Sequence, residues 1–236
     1  MKLIELINKN KKVQLVVLVD PDKFNPLLIG KADKSCASFF LVGGSQLKKN
    51  NLSSTILKIK KLSSKPVIIF PGDETQISKH ADGLLLLSLI SGRNAEYLIG
   101  KHVKSAPIIK KNKLKTLSAG YILIDGAKKS STQKITKTKG LNPKNITAIV
   151  NTALAGEQLG LQCIYLEAGS GAKTEVNSKI IKAVRTHINV PLFVGGGINS
   201  YLKSKKAIAA GANFIVIGNS LENNINLLSE IEKAFL

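Results

Sequence analysis

Tryptophan is absent, methionine occurs once, and arginine occurs only at Arg93 and Arg185 in this chain of 236 residues. The near-absence of arginine matters because the charge is otherwise one-sided: 35 Lys+Arg face 15 Asp+Glu, a formal net charge of +20. Dedicated readers of phosphates and base edges rely on the planar guanidinium fork, and a field made of lysine lacks it. Nucleic acid is therefore not expected as a partner. Two readings of the charge stay open: a compositional bias toward Asn, Ile and Lys, and an attraction toward a membrane surface or an anionic substrate. Only two cysteines occur, Cys36 and Cys163, far apart and in apolar contexts. That spacing excludes a zinc cluster and a disulfide framework, and it leads us to expect a reducing, cytoplasmic setting. Long hydrophobic runs are also missing. The longest ones, such as Leu84 to Leu87 with its neighbours, are far short of a membrane span. Residues Met1 to Ile7 carry Glu5 and no small-residue cleavage site, so no signal peptide is expected there.

What is present is alternation. Eight short apolar runs read as strands: 14–20, 38–42, 66–70, 83–87, 120–125, 163–167, 191–194 and 214–217. Helix-like stretches separate most of them, at 27–34, 52–62, 95–104, 145–159, 175–186, 200–210 and 222–235. Strand and helix in repeated alternation imply parallel pairing through right-handed crossovers. Eight such units in under ~250 residues predict an α/β fold, a (β/α)8 TIM barrel. A doubly wound open sheet is the alternative. The stretch 74–81 is too short for a full crossover, so an abbreviated helix is expected after strand three. A stray strand over 107–110 is a further reading of an ambiguous segment. Nothing marks a domain boundary, and residues 1–236 are expected to form one barrel domain.

In such a barrel the chemistry sits on loops after the strands' C-terminal ends. The polar, glycine-rich motifs fall at those places. The most informative is Tyr165-Leu166-Glu167-Ala168-Gly169-Ser170-Gly171-Ala172 after strand six. Alternation sends Tyr165 and Glu167 to one face and Leu166 to the other. Gly195-Gly196-Gly197 and Gly218-Asn219 follow strands seven and eight, the usual phosphate-binding loops of these barrels. Gly196, Gly197, Gly218 and Asn219 are thus a candidate phosphate site, with tight βα turns as the plain alternative. After strands one and two stand Asp20-Pro21-Asp22 and Gly43-Gly44-Ser45. Asp20 and Ser45 supply hard oxygens suited to magnesium, Mg2+, which takes few protein ligands. Alternatively, Asp-Pro makes a turn and Asp22 caps a helix. The lysine-rich stretch 126–140 contains no acid after Gly126 and reads either as a solvated loop or as a lid that attracts a diphosphate.

With these motifs placed, the sequence resembles the geranylgeranylglyceryl phosphate synthase family, which includes heptaprenylglyceryl phosphate synthases. The resemblance runs from about Val16 to Asn219 and rests on Val19-Asp20-Pro21-Asp22, Val42-Gly43-Gly44-Ser45, Ile69-Phe70-Pro71-Gly72 and Ser78 to Asp82. It continues through Tyr165 to Ala172, Val194 to Ile198 and Gly218-Asn219, of which Tyr165 to Gly171 is the most specific. The resemblance implies a transferase that joins a polyprenyl diphosphate, geranylgeranyl for preference, to the C3 hydroxyl of sn-glycerol 1-phosphate. Pyrophosphate leaves, and an ether-lipid precursor forms. It further implies magnesium at Asp20 and Ser45. Glycerol phosphate would be held by Tyr165, Leu166, Glu167, Ala168, Gly169, Ser170 and Gly171 together with Gly196, Gly197, Gly218 and Asn219. Tyr97, in Asn94-Ala95-Glu96-Tyr97, matches an aromatic that limits prenyl length. A homo-oligomer, dimer or larger, is implied, and a lipid-tailed substrate suggests transient membrane-surface contact.

Two departures stand out. Leu18 occupies the position where some bacterial members carry lysine, and the lysine-rich loop differs from the glycine- and tryptophan-containing loops of the archaeal-like branch. Glu167 is the expected catalytic base, with a purely binding role as the alternative. No Asp-Asp-x-x-Asp pair is present, which excludes the all-helical prenyl chain elongators. Two rivals remain: another phosphate-binding barrel enzyme acting on a sugar or indole phosphate, and a non-catalytic basic protein that binds anionic lipid. The first rival needs a catalytic Lys or Asp–His pair at strand ends, and His80, His102 and His187 all lie away from those ends in the sequence.

Overall fold

A computed structural model of the chain describes residues 12–48, 51–127 and 130–236. The expectation for Met1 to Ile7 falls outside these, as do Lys128 and Lys129 of the lysine-rich stretch.

Eight parallel strands close into a barrel in sequence order. They are β1 (Gln14–Val19), β2 (Ala37–Val42), β3 (Val67–Ile69), β4 (Gly83–Ser88), β5 (Thr116–Leu123), β6 (Cys163–Glu167), β7 (Leu192–Gly195) and β8 (Phe214–Ile217). Closure comes from β1 pairing with β8, with Leu15 opposite Ile215. The period of two divides the apolar residues between two cores. Val16, Phe39, Leu41, Ile68, Tyr121, Tyr165, Phe193 and Phe214 fill the barrel. Leu15, Val17, Phe40, Ile69, Ile122, Ile164, Leu166 and Val194 face the helix layer. Most of the strands are buried on both faces, so they read as continuous hydrophobic runs.

The helices are α1 (Pro26–Asp33), α2 (Leu52–Leu62), α3 (Lys101–Lys111), α4 (Ser131–Thr136), α5 (Ile146–Gln158), α6 (Ser178–Arg185), α7 (Tyr201–Ala209), α8 (Asn219–Asn223) and α9 (Leu227–Ile231). Side-chain caps set several starts: Asn25 for α1, Asn145 for α5 and Ser200 for α7 each accept a backbone N–H.

Four expectations are corrected. The crossover after β3 carries no helix at all, because Pro71, Gly72 and Asp73 turn the chain and residues 70–82 run as loop. The expected strand at 107–110 lies inside α3, and Pro107 sits on its exposed side. Strand β5 begins at Thr116 rather than 120, paired with Leu84 of β4. The single C-terminal helix expected over 222–235 is broken into α8, α9 and a 3₁₀ turn, Glu232–Ala234.

The lysine-rich stretch holds the short helix α4, closed by a capping box. Ser130 accepts the Gln133 backbone N–H, and the Gln133 side chain accepts the Ser130 N–H. A turn of helix therefore covers the C-terminal mouth of the barrel where a solvated loop was one of the two readings.

Candidate active site

Two cavities open at the C-terminal ends of the strands. The first is a broad basin, open to solvent and lined by polar side chains and glycine backbone. Tyr165 and Glu167 project into it from β6 because alternation turns both inward, and Leu166 turns outward. Ser170, Gly171, Gly196, Gly197, Gly218 and Asn219 line the same basin, as do Asp20 and Ser45. Sequence reasoning placed these ten residues together, and the fold does so. Leu166 and Ala168 are fully enclosed in the outer core, so neither side chain reaches the basin. Gly169 does not line it; its backbone N–H is donated to Glu167 at 2.6 Å.

Glu167 is the pivot of the basin. It is 7% exposed, and burial pushes its carboxyl up to about 7 against the opposing pulls of the Gly169 N–H and the Tyr165 hydroxyl. One carboxylate oxygen is held by that amide, and the Tyr165 hydroxyl lies against the same carboxylate. The Tyr165 hydroxyl is buried beside that carboxylate but makes no well-formed hydrogen bond, a costly state that a ligand hydroxyl would relieve. Both groups crowd over Gly195, where a Cβ would lie 2.4 Å from the Tyr165 hydroxyl and 3.0 Å from Glu167 Oε2. Gly196 has φ +81°, and a Cβ there would lie 2.4 Å from Glu167 Oε1. These two glycines are required by close approach and by a left-handed backbone.

Asp20 caps a 3₁₀ turn, Pro21–Lys23, by accepting the Asp22 backbone N–H at 2.9 Å. The cap is thus Asp20 itself rather than Asp22, whose Oδ2 instead accepts the Lys48 N–H at 2.7 Å. Capping occupies one Asp20 oxygen only. No ion pair among the described residues engages Asp20; Lys23 pairs with Glu222 at 2.9 Å. No cluster of three His, Cys, Asp or Glu suited to a metal occurs among the described residues. One carboxylate oxygen and one Ser45 hydroxyl on the same basin nevertheless fit magnesium, which draws most of its shell from water and phosphate.

The second cavity is narrower and lined mainly by apolar side chains. It occupies the side of the barrel that the missing helix after β3 leaves uncovered. Leu84, Leu86 and Leu89 form its wall, and Tyr97, from the π-helical turn Glu96–Gly100, stands in it. The Tyr97 hydroxyl donates to the Ile135 carbonyl of α4 at 3.3 Å. Lys101 reaches from α3 to Asp73 (2.8 Å) and Glu74 (2.5 Å) on the β3 loop. Burial pushes the Asp73 carboxyl upward, but the Lys101 ammonium and the Thr75 contacts outweigh it and hold Asp73 at about 2.

Ser45, Phe70, Tyr121 and Thr132 line both cavities, and Ser45 Oγ lies 3.5 Å from Thr132 Oγ1. Thr132 and Tyr121 were not foreseen. Thr132 sits in a stretch read only for its lysines, and Tyr121 in a strand whose register began too late. His102 was placed away from any strand end, yet its Nε2 lies 3.0 Å from the hydroxyl of Ser88, the last residue of β4. Burial lowers its pKa, which keeps a neutral imidazole against the apolar cavity. Both arginines are structural. Arg93 donates to the carbonyls of Ile90 and Gly92, and Arg185 donates to those of Val190 and Ile188 and to Asn213.

A parallel eight-stranded barrel with glycine loops after β7 and β8 and an acid at the end of β6 defines the class: a phosphate-ligand (β/α)8 barrel with an added apolar cavity. Residues 7–235 match the model of the PcrB family, and the chain belongs to that family. It is 46% identical over 220 residues to a geranylgeranylglyceryl phosphate synthase of Spirosoma linguale, covering 91% of this chain and 88% of the relative. A synthase of the same description from Zunongwangia profunda is 44% identical over 229 residues, covering 94% of this chain and 97% of its own. The crystal structure of (S)-3-O-geranylgeranylglyceryl phosphate synthase from Thermoplasma acidophilum, in complex with sn-glycerol-1-phosphate, superposes with a TM-score of 0.93. The two are 26% identical, with 100% of this chain and 98% of that chain covered.

Proposed function

We propose that this chain transfers a prenyl group from a polyprenyl diphosphate, geranylgeranyl for preference, to the C3 hydroxyl of sn-glycerol 1-phosphate. The observation that carries the reading is the junction of a polar, glycine-looped basin with an apolar cavity at Ser45, Phe70, Tyr121 and Thr132. A water-loving acceptor and a hydrocarbon-tailed donor require such a meeting point, and family membership supplies the chemistry.

Glycerol phosphate lies in the basin, its phosphate against the backbone of Gly196, Gly197, Gly218 and Asn219. Its hydroxyls meet the Tyr165 hydroxyl, which lacks a well-formed hydrogen bond, and the Glu167 oxygen that Gly169 does not hold. Glu167, held near neutrality by burial, accepts the C3 hydroxyl proton as the oxygen bonds to the allylic carbon. The carbon–oxygen bond to the diphosphate breaks, and pyrophosphate leaves. The Phe70 and Tyr121 rings, with centroids 6.1 Å apart, face the junction and favour positive charge on that carbon. Asp20 and Ser45 would hold magnesium, which when bound neutralises diphosphate charge. Lys134 of α4 and Lys48, both exposed on the basin, provide the remaining counter-charge. The prenyl tail follows the apolar cavity toward Tyr97, which sets its length.

The chain is proposed to work in the cytoplasm as a homo-oligomer, a dimer or larger. Its cysteines are free, Cys36 exposed and Cys163 buried, which suits a reducing compartment. No helix among the described residues is long and apolar enough to cross a membrane.

The test is incubation of the purified protein with magnesium, radiolabelled sn-glycerol 1-phosphate and prenyl diphosphates of several lengths. An organic-extractable product is expected, most with the geranylgeranyl donor. No such product with any donor would sink the proposal.

A further inference from the structure

The segment that lines the apolar cavity is apolar on its other side as well. Tyr97, Lys101, His102 and Ser105 of the π-helical turn and α3 face the cavity. On the opposite side Ile99 is 58% exposed and Val103 66% exposed, with Pro107 and Lys110 following at helical spacing and also exposed. A surface helix in a globular domain ordinarily carries its apolar stripe toward the core, so an outward stripe on this segment calls for an occupant. Its only acid is Glu96, tied to Lys104 at 2.9 Å. Lys110, Lys111 and Lys113 stand exposed at its C-terminal end, and none of them has an ion-pair partner among the described residues.

We infer that this outer face is a docking surface for an anionic phospholipid bilayer. The inference rests on the proposed prenyl transfer only for its purpose, namely access to a lipid-tailed substrate. Charge decides between the two occupants of an apolar stripe. A second copy meeting this face would bring a second set of the same exposed lysines, whereas an anionic leaflet brings the opposite sign, and each lysine near it adds attraction. Size agrees. The segment Glu96–Lys111 is about 24 Å long and one helix wide, well short of the ~800 Å2 per partner of a stable protein interface. An interfacial helix needs no more than an apolar face and flanking lysines whose stems lie along the headgroups. Docked so, the bilayer lies within one helix diameter, ~10–12 Å, of the cavity proposed for the prenyl tail. The wall between them contains the π-helical turn Glu96–Gly100, a geometry that recurs where helices are adapted to function.

The experiment is co-sedimentation of the full chain with phosphatidylcholine vesicles made with and without phosphatidylglycerol. The wild-type protein is expected to pellet with the anionic vesicles and to be released by added salt. Ile99→Glu combined with Val103→Glu should weaken that binding about tenfold or more, and Lys110→Glu severalfold. A milder pair, Ile99→Ser with Val103→Ser, keeps the test open if the acidic pair misfolds, with unchanged thermal melting as its check. Prenyl transfer from a detergent-dispersed donor should survive in every variant. Wild-type protein that ignores anionic vesicles, or serine and glutamate variants that bind them as the wild type does, would overturn the inference. So would light scattering in which the same substitutions split a wild-type oligomer, because a second copy then covers the stripe. Vesicle binding without any prenyl product would leave docking standing and remove the proposed reaction instead.

Discussion

Ser45 and Thr132, 87 residues apart in the chain, bring their hydroxyls within 3.5 Å of each other at the boundary between the polar basin and the apolar cavity. Ser45 belongs to the loop after β2, and Thr132 to the first turn of the capped helix α4. This contact joins α4 to the β2 loop at the point where donor and acceptor are proposed to meet. Thr132→Val should raise the KM for the prenyl diphosphate severalfold and leave that for glycerol phosphate unchanged. Ser45→Ala should instead raise the magnesium concentration needed for half-maximal rate by about 10–100-fold. Steady-state kinetics with each reactant varied in turn separates the two.

Glu167→Gln should lower kcat by about 10²–10⁴-fold. It should also abolish the acid limb of the rate profile, which in the wild type is expected near pH 7. The same substitution bears on stability. Glu167 titrates higher in the folded protein than in the unfolded chain, so its protonated form favours folding. That contribution is complete below the ordinary carboxylate range and is lost as pH rises through about 7. The glutamine protein should therefore melt several degrees above wild type at pH 8 and alongside it at pH 4. Equal melting at both values would show that the carboxyl is not desolvated as described.

Gly195→Ala places a methyl 2.4 Å from the Tyr165 hydroxyl and 3.0 Å from Glu167 Oε2. Overpacking of this kind costs about 1–3 kcal/mol, and here it also displaces the two groups proposed to grip the glycerol hydroxyls. The expected result is a lower melting temperature with a large rise in KM for glycerol phosphate. Retained affinity, measured calorimetrically, would move the acceptor site elsewhere.

Tyr97→Ala removes the ring that stands in the apolar cavity and the hydrogen bond to Ile135. Donors longer than the preferred one should become substrates, read as longer-chained products on reversed-phase chromatography. An unchanged product distribution would exclude Tyr97 as the limit on chain length.

Lys134 has no partner among its described neighbours and lines the basin from α4. Lys134→Ala should raise the KM for the prenyl diphosphate and weaken inhibition by inorganic pyrophosphate about three- to tenfold, with Lys134→Arg restoring both. The loss should shrink as ionic strength rises, because the charge is exposed.

Much of this architecture was legible because it rests on local periodicity. Cys163–Glu167 and Phe214–Ile217 were read with their observed bounds, since continuous apolar runs between turn residues leave few alternatives. The order of the glycine loops along the chain then placed Tyr165, Glu167, Gly196 and Gly218 on one rim. Other features were out of reach for identifiable reasons. Residues 116–119 carry a threonine, a serine and an alanine, too weak a pattern to announce a strand, yet pairing with β4 makes them one. Pro107 opens the segment read as a stray strand, but it lies at an exposed position inside α3. Leu166 and Ala168 belong to the motif in sequence and to the outer core in space.

The sequence by itself determined the eight strands in order, the strand-end loops and the inward direction of Tyr165 and Glu167, because each follows from side-chain period and turn chemistry within a few residues. Only the tertiary structure decided that Glu167 is buried and titrates near 7. It alone decided that a helix-free crossover after β3 leaves an apolar cavity, and that Thr132 meets Ser45 at the boundary of that cavity. Burial, cavities and contacts between distant loops depend on how closed layers pack, and no local pattern encodes that packing.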